Sequence, residues 1–144
     1  MPSLEDIKGF CQSMRIALEP GLSRDEHGLP ISAGACLHAA VWLASSLNRF
    51  SMARAVVCGG GDGIAGARDV HGTLRGHYWI VATLHDGTVV IIDITADQFG
   101  HPPVRVIDLS ESHHLYVAGE QAIVDEAVRA MAQHLGVNEH LQTP

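Results

Sequence analysis

No stretch of this sequence approaches the roughly 18 unbroken apolar residues that a membrane-spanning helix requires, so no such helix is expected. The opening M-P-S-L-E-D-I-K has no apolar signal core, and no secretory leader is expected there. Cysteine is scarce. Cys11, Cys36 and Cys58 are an odd number with no close pairing motif, which argues against a disulfide scaffold and for a reducing compartment. A cytoplasmic location is the default expectation, although a specialised export route leaves no mark of the kind read here. Positive charge is also short. Nine Lys and Arg face sixteen Asp and Glu, a formal charge of −7, so the chain lacks the basic face that nucleic acid demands. No internal repeat or low-complexity tract is seen in these residues, and no second domain is expected among them.

What is present is one domain of 144 residues, 47% apolar, enough to bury a core without staples. A first helix is expected over 4–18, with Ser3 and Asp6 as its capping box and Leu4, Ile7, Phe10, Cys11, Met14 and Leu18 on one stripe. Residues 19–34 hold two prolines and three glycines and read as a loop. A-C-L-H-A-A-V-W-L-A-S-S-L, about 35–48, is apolar nearly all round, as a central buried helix is. Strands are expected near 53–58, 76–84, 88–95 and 104–109, with a short one at 115–117. The segment after Cys58, G-G-G-D-G-I-A-G-A-R-D-V-H-G-T-L-R-G, reads as a long mobile loop beside the cleft, a candidate lid. A last helix over about 119–135 turns Ile123, Ala127, Met131 and Leu135 inward and stops at Gly136, and the tail N-E-H-L-Q-T-P is expected to fray.

Cys36 opens the most apolar helix. A thiol in a first helical turn meets the positive end of the macrodipole and free backbone N–H groups, which favour thiolate. The same amides can hold an oxyanion once that thiolate attacks a carbonyl. Ser32, Ala33 and Gly34 are small enough to let a substrate approach. The competing reading is a small core residue, as most buried cysteines are. Cys11 falls on the apolar stripe of the first helix and reads as core.

His77 and Asp93 lie on the two strands of a hairpin, and the loop between those strands decides whether they meet. With a two-residue Asp86-Gly87 turn, Trp79 pairs with Ile94, and His77 and Asp93 point to opposite faces. With a three-residue His85-Asp86-Gly87 loop, Trp79 pairs with Asp93 and His77 with Thr95. Both side chains then share a face as diagonal neighbours about 7 Å apart at the backbone, within reach of a His–carboxylate bond. The longer loop suits x-D-G and requires Gly87 to hold a positive φ. On that register Asp93 fixes the tautomer of His77, and the other ring nitrogen is free to act on Cys36.

A cysteine on a helix, then G-H-Y-W-I, then I-I-D-I-T-A-D-Q-F resembles the core of papain-like and transglutaminase-like thiol enzymes, over about residues 30–100. The flavour is closest to small bacterial papain-fold proteins of toxin and phage-related loci, some of which deamidate glutamine. The size is also similar to that of the leader-peptide-cleaving proteases of lasso-peptide clusters. The resemblance implies an α+β fold with a buried Cys-bearing helix on a small antiparallel sheet, its core about 30–117, flanked by terminal helices. It implies Cys36 as nucleophile, His77 as base and then acid, and Asp93 as orienter. Papain-type enzymes place an oxyanion donor, often Gln, upstream of the cysteine. Here Gln12 lies far upstream on a helix, and Ser32 and the Cys36 backbone are the alternatives. Gly34, Trp79 and Gln98 are candidate cleft residues, with a structural tie after Asp93 as the other role for Gln98.

The expected function is amide hydrolysis, as a protein glutamine deamidase or a cysteine peptidase, on a protein or peptide substrate and without a cofactor. A transglutaminase-type transfer shares the first half-reaction. The rival class is a catalytically silent binding module. The glycine run lacks the G-K-[ST] ending of a phosphate loop. His71, His101, His113 and His114 lack metal-ligand spacing and read as solvated loop residues.

Overall fold

The computed structural model describes residues 1–61 and 63–137. Helix α1 is Leu4–Leu18, and Ser3 and Asp6 form the expected reciprocal capping box. A short hairpin, β1 (Ser23–Arg24) and β2 (Pro30–Ile31), follows. Helix α2, Cys36–Arg49, leads into β3, Arg54–Gly60. Next come β4 (Gly66–Arg68), β5 (Leu74–Arg75), β6 (His77–Thr83), β7 (Val89–Asp93), β8 (Arg105–Asp108) and β9 (Tyr116–Val117). Helix α3, Gln121–Leu135, ends on Gly136 in the left-handed region, as expected.

The architecture is α+β, three helices with antiparallel sheets. The main sheet has the order β3-β6-β7-β8, and a smaller one runs β5-β4-β9. One face of the main sheet carries Val57, Ile80, Ala82 and Ile92, and it packs on Ala40, Leu43, Ala44 and Leu47 of α2. Ile7 and Cys11 of α1 and Val124 of α3 close the same core. The other face carries Trp79 and Ile91, covered by Ala67, Phe99 and Tyr116. The β3 edge is occupied: the Asn48 side chain donates to and accepts from the Ala55 backbone, and Gln121 donates to Val57 O. Such pairing removes a free sheet edge.

Two expectations are corrected. The glycine-rich segment is not one long loop, since Gly59 and Gly60 end β3 and the rest supplies the β4–β5 hairpin. Glycine is required there by close approach: a Cβ on Gly59 would lie 2.5 Å from His77 O, and one on Gly66 would fall onto the Arg75 carbonyl. On α3 the inner stripe is Val124, Val128, Met131 and Leu135, and Ile123 is exposed. Met131 and Leu135 turn inward as expected, and only the first half of the stripe shifts by one position, from Ile123 and Ala127 to Val124 and Val128. Residues 138–144, expected to fray, lie outside the described residues, as does Asp62 of the glycine run.

The β6–β7 register is the one that a three-residue loop gives. Val81 faces Ile91 and Thr83 faces Val89, which carries Trp79 opposite Asp93. Leu84 and Thr88 close the loop through Leu84 N–H to Thr88 O at 2.8 Å, and Gly87 has φ 89°.

Candidate active site

Cys36 is the first residue of α2. A turn over Ser32–Ala35, closed by Ala35 N–H on Ser32 O at 2.9 Å, delivers the chain to it, with Gly34 at φ 80° in the third position. No side chain caps this helix, so its first-turn amides stay unclaimed at the thiol. Cys36 is half-buried.

His77 starts β6 beside Gly60, the last residue of β3, at the end of the sheet where α2 begins. Its ring is buried, edge-on to Phe99 at 4.7 Å between centroids. Nε2 donates to Asp93 Oδ2 at 2.8 Å. Cys36 stands beside this imidazole and favours its charged form. Nδ1, the other ring nitrogen, accepts from Gln98 Nε2 at 3.3 Å. Burial is the largest influence on His77 and works against its charged form. The bond to Asp93 and the neighbouring Cys36 outweigh it and push the imidazole up to about 9.

Asp93 is buried, and each of its oxygens has two partners. Oδ2 accepts from His77 and from the Tyr116 hydroxyl at 2.7 Å, and Oδ1 accepts from Thr95 N–H at 3.0 Å and Thr95 Oγ1 at 3.3 Å. Burial, and then the Asp93 charge, hold the Tyr116 phenol in its neutral, donating form. The chain thus hydrogen-bonds His77 to Asp93 and places Cys36 on the same cavity as that imidazole.

The other cleft candidates divide. Gly34 is exposed, with open space where a side chain would stand. Gln98 takes the structural role: its amide donates to Thr95 O at 3.1 Å and so ties the turn after Asp93, and the residue lines a separate surface groove and not the cavity on Cys36. Ser32 is corrected as an oxyanion donor. It is buried, and its hydroxyl donates to Asp97 Oδ1 at 2.6 Å, with Thr95 O at 3.3 Å, so the proton is spent inside the fold. Trp79 is corrected as a cleft residue. It shares a face with His77, but the Tyr116 ring packs against it at a 59° tilt, 5.0 Å between centroids, and Trp79 is 2% exposed. Gln12 is exposed on the outer side of α1.

Two residues escaped sequence reasoning. Tyr116 reaches Asp93 from a two-residue strand of the other sheet. Arg15, buried on α1, grips Asp97 through both terminal nitrogens at 2.8 Å and donates to Ile94 O at 2.8 Å. Its only signal was an arginine next to an apolar helical stripe.

A cavity of about 410 Å³ opens on Cys36 and His77. Its floor is glycine backbone at 60, 61, 76 and 119, and exposed Ile64 and Ile123 stand at its rim. Among the described residues no three His, Cys, Asp or Glu side chains gather as a metal site, and no helix is long and apolar enough to cross a membrane. No protein-family model, curated protein or solved structure matches the chain.

Proposed function

We propose that this protein is a cysteine-dependent amide hydrolase on a papain-like or transglutaminase-like core, either a protein glutamine deamidase or a cysteine peptidase. One observation carries the reading: a cysteine at an uncapped helix start opens on the same cavity as an imidazole whose Nε2 donates to a fully satisfied buried carboxylate.

In this scheme Asp93 keeps the Nε2 proton of His77 in place, and Nδ1 takes the Cys36 proton. The thiolate attacks the carbonyl carbon of an amide and the C=O bond opens to an oxyanion. The Cys36 N–H and the neighbouring first-turn amides face that charge. His77 then gives the proton at Nδ1 to the departing nitrogen as the C–N bond breaks, which leaves a thioester. Water, losing a proton to Nδ1, attacks the thioester and releases the acid and the thiol. Ammonia is the leaving group in deamidation and an amino terminus is the leaving group in peptide cleavage. An amine in place of water would make the reaction a transamidation.

Alkylation by iodoacetamide tests the nucleophile. Burial pushes the Cys11 thiol up to about 12, and burial with Asp125 nearby pushes Cys58 up to about 11. At about pH 6, Cys36 is expected to react at least roughly tenfold faster than either. Equal rates at all three thiols would overturn the proposal in favour of a silent binding module. With the nucleophile established, mass spectrometry of candidate proteins incubated with the wild type and with Cys36→Ser separates the two hydrolase forms. Conversion of a glutamine amide to a carboxyl means deamidation, and new termini mean cleavage.

A further inference from the structure

A second groove, of about 390 Å³, lies on the other side of Gln98. It is lined by Ala33, His71, Arg75 and Gln98, among others. It adjoins the candidate site at two points: the Gln98 amide is 3.3 Å from His77 Nδ1, and Ala33 belongs to the turn that delivers Cys36.

Arg75 in this groove is held but not used up. Its Nε donates to Asp69 Oδ2 at 2.8 Å. Asp69 is itself buried, and its Oδ1 accepts from His71 N–H at 2.9 Å and Thr73 N–H at 3.0 Å. Those two amides already complete the turn between β4 and β5, so the hairpin needs no arginine. What the arginine gains is a fixed orientation. Its side chain remains 58% exposed, and among the described residues neither terminal nitrogen has a hydrogen-bond partner. A guanidinium anchored through Nε presents its two terminal nitrogens as a fork, the shape that matches a carboxylate. On a chain of net charge −7 an acidic substrate gains little from the overall field, so a local donor pair decides its binding.

We propose that this groove is a carboxylate subsite and that Arg75 is a specificity-determining residue: the substrate presents an acidic side chain or a free C-terminal carboxylate to Arg75 while its amide lies at Cys36. The proposal rests on the amide-hydrolase reading and narrows its substrate class. The glycine-floored cavity on the Cys36 side takes the uncharged remainder of the peptide.

The test uses thiol-directed peptides on the full chain. Iodoacetyl peptides with zero, one or two glycine spacers end in glutamate amide, in glutamine with a free carboxylate, or in glutamine amide. At one spacer length or more, an acidic member is expected to alkylate Cys36 at least about fivefold faster than its neutral counterpart. Preference for the glutamate amide identifies a side-chain carboxylate as the ligand, and preference for the free terminus identifies a C-terminal one. In Arg75→Gln the acid-to-neutral ratio, taken within that variant, should fall to about one, and Arg75→Lys should retain part of it. A ratio near one at every spacer length in the wild type, with Cys36 still faster than Cys11 and Cys58, overturns the subsite and leaves the hydrolase reading standing. A ratio that survives Arg75→Gln overturns the role of Arg75. If Cys36 is no faster than the other two thiols, both proposals fall together.

Discussion

Asp93 has four hydrogen-bond donors around its two oxygens, and an amide in its place can satisfy only some of them. In Asp93→Asn the carbonyl keeps the Thr95 bonds and the NH2 group turns toward His77 Nε2. The ring must then accept at Nε2 and carry its proton on Nδ1, where it can no longer take one from Cys36. Cys36 alkylation at about pH 6 should drop by roughly tenfold or more while circular dichroism stays native. Unchanged reactivity would remove the orienting role. The same substitution should alter stability against pH. His77 is raised from 6.5 to about 9, so its contribution is complete below the unfolded value and is lost as pH rises through about 9. For this buried ring that contribution is on the order of 3 kcal/mol. Calorimetry between about pH 6 and pH 9 should show a steeper fall in Tm for the wild type than for the variant. At this scale the sequence was legible where chemistry is local. A cysteine at a helix start and a histidine and aspartate on paired strands can be read from order and register. Tyr116 could not, because a phenol on a short strand acquires its partner only when the second sheet folds over the first. Ser32 and Trp79 were misread for the same reason: smallness and strand parity say nothing about what later covers a residue.

The decisive element is the loop that joins β6 and β7, because its length sets the parity of every pair along both strands. Gly87 holds φ 89° and has open space for 4 Å around the point where a Cβ would stand, so alanine there brings backbone strain without a clash. Gly87→Ala should lower stability by about 1 kcal/mol, a drop of a few degrees in Tm. Cys36 alkylation should keep its wild-type rate, because the pairs from Val81–Ile91 to Thr83–Val89 hold the register independently. A change in alkylation with little loss of stability would mean that the loop alone sets the register. The x-D-G signature made this loop readable in advance. The β4–β5 hairpin was not readable, since its glycines spell flexibility in isolation. Their actual use is to let β3, β4 and the start of β6 approach more closely than any Cβ permits. The first half of the α3 stripe was missed by one position because Ile123 and Val124 are equally apolar, and only the packed sheet chooses between them.

Across the whole molecule, Arg15 joins three segments that the sequence keeps far apart: α1, the turn that delivers Cys36, and the turn after Asp93. It reaches Asp97 and Ile94 O directly, and Asp97 in turn accepts from Ser32. The three helices and the strands of the main sheet were legible from periodicity and turn signals, but this cross-link was not, because nothing local marks one arginine as buried. Removing it should be costly in a way that depends on pH. Burial works to raise the Asp97 carboxyl, and the bonds from Arg15 and then Ser32 outweigh it and lower it overall. A carboxyl lowered in the folded state adds stability above its unfolded value of about 3.9 and loses it as pH falls through the folded value. In Arg15→Gln a mostly buried carboxylate keeps only Ser32 as a side-chain donor. The expected loss at about pH 7 is roughly 2–4 kcal/mol, somewhat below a fully buried broken pair because Asp97 retains some exposure. Protonating Asp97 relieves the orphaned charge in the variant and cancels the ion pair in the wild type, so the two proteins should converge in acid. Urea midpoints at about pH 7 and about pH 3 measure this gap directly. A gap of the same size at both would mean that Arg15 acts through packing of its stem and its bond to Ile94 O, and that the charge link between α1 and the site turns contributes nothing.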